Sequence, residues 1–164
     1  MTHLLLLAAM HSLTLASGEL ELMPVVVQDV VLYRSDEVSA GGAGGGVGMQ
    51  LIARELWLAQ LDVSALWLLG NAVSTRLALG AQRQGTWSPA AWLSVSVLWG
   101  DRLEFLQGDG RRPSIPSWAL GLRGSALRFS MPFGVFSALE PGIGTNFASG
   151  VWLELSIVQL AVRL

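Results

Sequence analysis

Between Leu93 and Leu106 the chain reads LSVSVLWGDRLEFL, with apolar residues at nearly every second position on both sides of Gly100-Asp101. A period of two marks a strand whose two faces meet different surroundings, and Gly-Asp between two such runs is a hairpin signal. The same alternation recurs elsewhere. From Val47 the odd positions read Val47, Met49, Leu51, Ala53, Trp57, Ala59, Leu61, Val63, Ala65, Trp67 and Leu69. The even positions carry Gln50, Arg54, Gln60, Asp62 and Ser64, and Glu55 breaks the pattern. Val73, Thr75, Leu77, Leu79 and Ala81 form the next apolar face, opposed by Ser74, Arg76, Gly80 and Gln82. The last run is apolar at Val151, Leu153 and Leu155, then shifts phase to Val158, Leu160, Val162 and Leu164, which a bulge near Ile157 would absorb.

Breaks between these runs fall into two kinds. Gly70-Asn71, Gly100-Asp101 and Met131 to Gly134 (MPFG) are tight; Arg34 to Gly46, Arg83 to Pro89, Gly108 to Ser117 and Glu140 to Asn146 are longer and rich in Gly, Pro and Ser. The order long, tight, long, tight, long, tight, long predicts eight strands, roughly 20–33, 47–69, 72–83, 90–99, 102–107, 118–130, 134–139 and 148–164. Strict alternation of loop length is what an up-and-down barrel in an outer membrane produces, with short turns on the periplasmic side and longer loops outside. The expected fold is therefore all-β, an eight-stranded antiparallel up-and-down transmembrane β-barrel. Strand 47–69 is long for a crossing that needs about 9–11 residues. Either its surplus projects from the bilayer or the segment is a helix, and Gln50 to Leu69 is the best segment for a helical inner-membrane alternative.

Composition sharpens this picture. Of 164 residues 52% are hydrophobic and only 13% charged, where a soluble domain carries about a quarter. Mean hydropathy is +0.52, yet no run approaches the roughly 18 uninterrupted apolar residues of a membrane helix. Hydrophobicity spread over alternate positions is the barrel's solution. Net charge is −2, with no basic run, so nucleic acid is not an expected partner. The leading eighteen residues, MTHLLLLAAMHSLTLASG, read as a secretory signal cleaved near Ala16 to Gly18, leaving 19–164 as a single barrel domain bound for the outer membrane. That segment holds both histidines, His3 and His11, and the whole chain lacks cysteine.

Aromatic residues cluster at strand ends. Trp67, Trp99, Phe129 and Phe133 lie beside the tight breaks, and Tyr33, Trp87, Trp92, Trp118, Phe147 and Trp152 beside the long ones; Trp57 and Phe136 fit neither set. Two such belts are the girdles that membrane barrels carry at the two interfaces. In alternation, size and girdles the chain resembles the small eight-stranded outer-membrane barrels of the OmpA-transmembrane, OmpX and OmpW types. The resemblance is one of architecture and carries no diagnostic motif; it implies outer-membrane lipid as the surrounding partner.

An eight-stranded barrel is just wide enough for side chains to fill, so polar residues on the inward phase are buried and must pair. By phase these are Arg54, Asp62, Arg76, Arg102, Glu104, Arg128, Glu154 and Arg163. Two readings follow, a packed plug of salt bridges or a narrow polar path for small or hydrophobic solutes. A soluble barrel around an apolar ligand is a third; it requires an apolar lumen. No catalytic role is expected, because nucleophilic serine chemistry needs an activating base and the segment after residue 18 offers no His, Lys or Cys. No cofactor or metal is expected either; Asp109 with Asp36 and Glu37 would make only a weak oxygen site. Gly41 to Gly48 (GGAGGGVG) lacks the Lys-Ser/Thr of a phosphate loop and reads as a flexible external loop. Arg111 and Arg112, in GDGRRP, are the candidates for contact with an anionic envelope or host ligand at an external loop.

Overall fold

The computed structural model describes residues 20–36, 39–68, 71–100 and 117–163. Nine strand segments follow one another: β1 (Leu20–Arg34), β2 (Ser39–Ala53), β3 (Trp57–Leu68), β4 (Ala72–Gln82), β5 (Ala90–Gly100), β6 (Ser117–Ser125), β7 (Leu127–Met131), β8 (Gly134–Thr145) and β9 (Val151–Val162). Every pairing is antiparallel. Neighbours run β6-β5-β4-β3-β2-β1-β9-β8-β7, and β6 also pairs with β8, closing the sheet. β6 and β7 are two halves of one stave interrupted at Ala126, so the closed barrel has eight staves. Because the sheet closes on itself, no strand is left as a free edge.

The wall is inside out relative to a soluble protein. Along β3, Leu61, Val63, Ala65 and Trp67 face outward while Gln60, Asp62 and Ser64 are buried. β4 repeats this with Leu77 and Leu79 outside and Ser74 and Arg76 inside. Exposed tryptophans gather at both rims. Trp57, Trp87 and Phe133 ring the lower rim, where β1 begins; Trp67, Trp99, Trp118 and Phe147 ring the upper one. Tyr33, Trp92 and Trp152, expected in a girdle, are instead buried in the lumen, because each lies on the inward phase of its strand. The described residues contain no helix, and Gln50 to Leu68 is a hairpin rather than a helix.

Three sequence expectations about the strands change. The run 47–69 is not one strand but two, turned at Arg54–Leu56. Arg54 and Glu55 have left-handed φ values of 54° and 55°, and Leu56 N–H donates to the Ala53 carbonyl at 3.1 Å, the geometry of a primed hairpin turn. This turn accounts for Trp57, which now sits at a rim. Second, Gly41 to Gly48 is strand, not loop: it pairs with β1 throughout and with β3 from Ala43 onward. Third, β8 continues through Glu140, Pro141 and Gly142 to Thr145, leaving only 146–150 as its connection to β9. The lower rim therefore carries the 54–56, 83–89 and 132–133 connections, and the upper rim carries 35–38, 69–71, 101–116 and 146–150. The tight breaks at Gly70-Asn71 and Pro132-Phe133 thus fall at opposite rims, not on one. Asp101 and the strand expected at 102–107 lie outside the described residues, as does the leader expected at 1–18.

One line across the wall is irregular. β6 pairs with β8 from Leu120↔Thr145 to Arg123↔Gly142, and β7 resumes at Leu127↔Ala138 in the same register. Between them, 124–126 and 139–141 make no ladder pairs with one another. β8 and β9 pair Ala138↔Val158 and Glu140↔Ser156, leaving Leu139 opposite Ile157. Ala126, Leu139 and Ile157 therefore lie in a row, and at each the inward phase changes: Arg123 and Ser125 but Arg128, Val135 and Ser137 but Glu140, Ser156 but Gln159. Leu139 is left-handed, at φ 52°. The shift anticipated near Ile157 is one member of this row of bulges.

β2 tests the need for glycine. A Cβ at Gly48 would lie 2.6 Å from the Asp62 Cβ on β3 and would strike the Leu61 carbonyl oxygen, whereas one at Gly124 would meet nothing within 4 Å. Gly48→Val is expected to lose about 1–3 kcal/mol of stability through overpacking, and Gly124→Ala to change it little. The denaturant midpoint for loss of the heat-modifiable, fast-migrating band on unheated gels measures both.

Candidate functional site: the barrel interior

The chemistry-bearing residues of the described chain converge in the lumen. Asp62 of β3 and Arg76 of β4 stand directly opposite in register. Asp29 of β1 is one stave further round, with only β2 between it and β3. The inward positions of β2 at that level are Gly44, Gly46 and Gly48, paired with Asp29, Val27 and Val25 on one side and with Leu66, Ser64 and Asp62 on the other. A Cβ on Gly46 would approach the Ser64 Cα to 2.7 Å. The missing side chains let groups from β1 and β3 meet across β2. Ser64 Oγ reaches Asp29 Oδ2 at 2.6 Å.

Arg76 is the hub. Its Nε donates to Asp62 Oδ2 at 3.1 Å and its Nη2 lies 3.0 Å from Asp62 Oδ1, a two-pronged grip. The same guanidinium lies 3.6 Å from Asp29 Oδ2 and 3.5 Å from Glu154 Oε2. Hydroxyl, amide and indole donors add to these contacts. Ser156 Oγ donates to Asp29 Oδ1 at 2.6 Å, Gln60 Nε2 to Asp62 Oδ2 at 2.8 Å, and Trp152 Nε1 to Glu154 Oε2 at 3.0 Å. Asp29, Asp62, Arg76 and Glu154 are all buried.

A second group adjoins the first. Arg123 Nη2 lies 2.8 Å from Glu140 Oε2, both side chains fully enclosed, and the same Nη2 donates to Gln159 Oε1 at 3.4 Å. Gln159 and Gln60 exchange hydrogen bonds at 3.0 and 3.2 Å, joining the groups. Among the described residues Arg128 has no carboxylate within ion-pair distance. It donates to Gln82 Oε1 at 3.1 Å and Gln50 Oε1 at 3.2 Å. Arg123 and Arg128 stack over the Trp92 ring, 5.3 and 5.6 Å from its centroid, where the ring's negative face offsets part of the cost of desolvating a cation.

Apolar layers bound these groups. Above lie Val31, Tyr33, Leu66, Leu98 and Trp152; below lie Met23, Val25, Ile52, Leu58, Trp92 and Val135. A basin of about 450 Å³ opens at the lower rim, and Ile52 of the lower layer is part of its lining. At this rim Arg163 clasps the barrel shut. Its Nε donates to Glu21 Oε1, its Nη2 to Glu21 Oε2 at 2.9 Å, and its Nη1 to the Met131 and Pro132 carbonyls at 3.0 and 3.2 Å. The hydrogen bond to Glu21 raises the Arg163 pKa above its ordinary value.

Of the residues assigned to the interior by phase, the structure brings Asp62, Arg76 and Glu154 together and places Arg128 in the neighbouring group. Arg54 and Arg163 are corrections. Arg54 is exposed in the 54–56 turn, and Arg163, just past β9, is exposed at the lower rim. Arg102, Glu104, Arg111 and Arg112 lie outside the described residues, as do Asp109 and Glu37. Sequence reasoning missed Asp29, Arg123 and Glu140. Asp29 is the lone acid on a face that otherwise reads Val25, Val27, Val31 and Tyr33, which was its available signal. Glu140 was hidden in a segment that reads as a turn. Among the described residues no group of three or more His, Cys, Asp or Glu is placed to hold a metal ion.

Replacing Arg76 by methionine keeps bulk and strands Asp29, Asp62 and Glu154 beside one another without a cation. Breaking a buried ion pair costs roughly 3–5 kcal/mol, so Arg76→Met is expected to unfold at markedly lower denaturant than wild type. Arg163→Met, at an exposed pair, is expected to shift stability by no more than about 1 kcal/mol.

No family model matches the chain, and no curated protein does. Solved structures do. Neisserial surface protein A (NspA) superposes with a TM-score of 0.54 at 14% identity, over 87% of this chain and 97% of that one. Ail, the attachment invasion locus protein of Yersinia pestis, solved in complex with the heparin analogue sucrose octasulfate, gives 0.53 at 12% identity, over 89% and 99%. At such identities the likeness is one of fold: the chain has the closed, eight-stranded antiparallel architecture of the small bacterial outer-membrane β-barrels.

Proposed function

We propose that this protein is an outer-membrane barrel that conducts nothing and acts through its upper rim. The observation that carries the first half is the layered lumen. Arg76 and its three carboxylates, with the Arg123 and Arg128 groups, fill the space between two apolar layers. A water path would need hydrated charges in continuous file, whereas here the charges are enclosed by one another and by hydroxyl and amide donors. The charged lumen and apolar exterior also disfavour a soluble barrel holding an apolar ligand. The polar-path reading requires the Arg76 group to part, which would leave buried charges uncompensated.

Loop length supports the second half. The connection 101–116 opens on the upper rim and contains Arg111 and Arg112. It is the longest connection between strands, which supports the upper rim as the external one by the rule that barrels keep their longer loops outside. Ail was solved with a polysulfated sugar; the corresponding proposal here is that Arg111 and Arg112 contact an anionic envelope or host ligand outside the cell.

In planar bilayers the purified protein is expected to show no resolved single-channel current at any holding potential. A steady current altered by Glu154→Gln would refute the plug. Orientation is checked separately in a chain that has no native cysteine. Asn71→Cys is expected to react with a membrane-impermeant maleimide on intact cells and Glu55→Cys to react only after lysis; the reverse pattern inverts the topology.

A further inference from the structure

The polar atoms of the lumen are not evenly served. Among the described residues, eleven buried side-chain nitrogens and oxygens make no hydrogen bond, and eight of the eleven lie on the β5 to β8 side of the barrel. They are Trp92 Nε1, Arg123 Nε and Nη1, Ser125 Oγ, Arg128 Nη1, Ser137 Oγ and both carboxylate oxygens of Glu140. None of these six residues is more than 2% exposed. Register brings them together. Trp92 stands opposite Arg123 and Arg128 opposite Ser137, on either side of the row where 124–126 and 139–141 leave the ladder. Both guanidiniums lie over the one Trp92 ring, so the groups of four strand segments share a single place.

This group cannot complete itself. Its one carboxylate, Glu140, is engaged by Arg123 Nη2. The nearby amide oxygens of Gln50, Gln82 and Gln159 already accept from other guanidinium nitrogens. The remaining inward side chains on these staves, Ser94, Ser125 and Ser137, are too short to reach across the lumen. A buried donor or acceptor left unpaired costs its full desolvation, so the group calls for a ligand. Charge selects which kind. Four carboxylates against three guanidiniums leave the described lumen one negative, which disfavours a further anion, while an added cation would meet Arg123 and Arg128. What fits is a small neutral molecule that both donates and accepts. Water does so, and a buried water needs two to four polar partners.

We infer that ordered water molecules are bound in the lumen behind the β6–β8 seam, bridging Trp92, Arg123 and Arg128 to Ser125, Ser137 and Glu140. They are structural ligands of the plug and not a file through it. Met23, Ile52 and Leu58 close the lumen below, and Val31, Leu66 and Leu98 close it above. The Arg76 side is knit by direct bonds instead, since its carboxylates accept from Ser64, Ser156, Gln60 and Trp152. The plug is thus hydrated on the side where the ladder is interrupted.

Two tryptophans make an internal pair of probes. Both Trp92 and Trp152 are buried, but Trp152 Nε1 donates to Glu154 Oε2 at 3.0 Å, whereas Trp92 Nε1 has no partner among the described residues. Water cross-relaxation is measured by NMR on the isotope-labelled full chain folded in detergent micelles, with the indole signals assigned in the wild type by triple-resonance spectra. The Trp92 indole proton is expected to show cross-peaks to water, of opposite sign in laboratory-frame and rotating-frame spectra as for a long-held water; the Trp152 indole proton is expected to show none. No cross-peak at Trp92 overturns the inference. Equal cross-peaks at both indoles also overturn it, by showing solvent throughout the lumen. A Trp92 indole resonance that moves when sulfate replaces chloride overturns it in favour of a bound anion. Stability gives an independent reading. In a dry lumen an unpaired hydroxyl is better removed, whereas a hydrated one loses a water's partner. Ser125→Ala and Ser137→Ala are each expected to lower the denaturant midpoint of the fast-migrating band, and a raised midpoint in either overturns the inference.

Discussion

The grip of Arg76 on Asp62, Asp29 and Glu154 is the interaction on which the rest of the architecture depends. A membrane barrel turns its apolar residues outward, so its lumen cannot be held together by hydrophobic burial alone. What remains is to fill a narrow tube with polar groups that satisfy one another. Arg76 does so from the middle of the wall, reaching across the lumen to β1, β3 and β9. The described interior holds four buried carboxylates, Asp29, Asp62, Glu140 and Glu154, and three buried guanidiniums, Arg76, Arg123 and Arg128. With so near a balance, the arrangement is stabilising only while every partner stays in place. The alternative, a charge left alone in a desolvated tube, costs far more than any one contact contributes.

That demand reaches back into the backbone. The guanidinium can serve both Asp29 and Asp62 because the stave between them carries glycine at its inward positions. The glycine run, which as sequence looks like a tether, is the clearance that lets the acids of β1 and β3 come within reach of one cation. Its neighbours on the ladder replace the stiffness that the missing side chains would have lent. The tryptophans divide for a related reason. Those on the outward phase mark the membrane interfaces, while Trp92 and Trp152 enter the lumen, one beneath two guanidiniums and one as a hydrogen-bond donor to Glu154.

Much of this was legible from alternation alone. The all-β class, the eight staves and the outward and inward phases of β3 and β4 follow from a period of two that survives single irregular residues. The stave count came through two local misreadings, and the reason is instructive. Ala53 pairs with Trp57, so even-numbered residues face the lumen on both sides of the 54–56 turn. A hairpin of this length preserves parity and is invisible to a pattern search, more so when Arg and Glu, not Asn and Gly, take the left-handed positions. The site was legible where a charged residue sat on a clean phase, as with Asp62, Arg76 and Glu154. It was not legible for Arg123 and Glu140, which flank the row where the phase changes, nor for the glutamines, which carry no charge to draw notice yet join one cluster to the next.

The row of bulges at Ala126, Leu139 and Ile157 gives the cylinder a grain. From β1 to β5 the ladders run unbroken from rim to rim apart from single shifts, but between the β6–β7 stave and β8 three residues on each side are unpaired. Mechanical strength in a closed sheet is set by its weakest longitudinal junction, much as a cask fails along one joint. This junction lies directly in front of the Arg123–Glu140 pair, so that pair serves as a rivet behind the seam. Unfolding that begins there need not disturb the Arg76 assembly. By that reasoning the amides along this seam are expected to exchange with solvent ahead of those around Arg76.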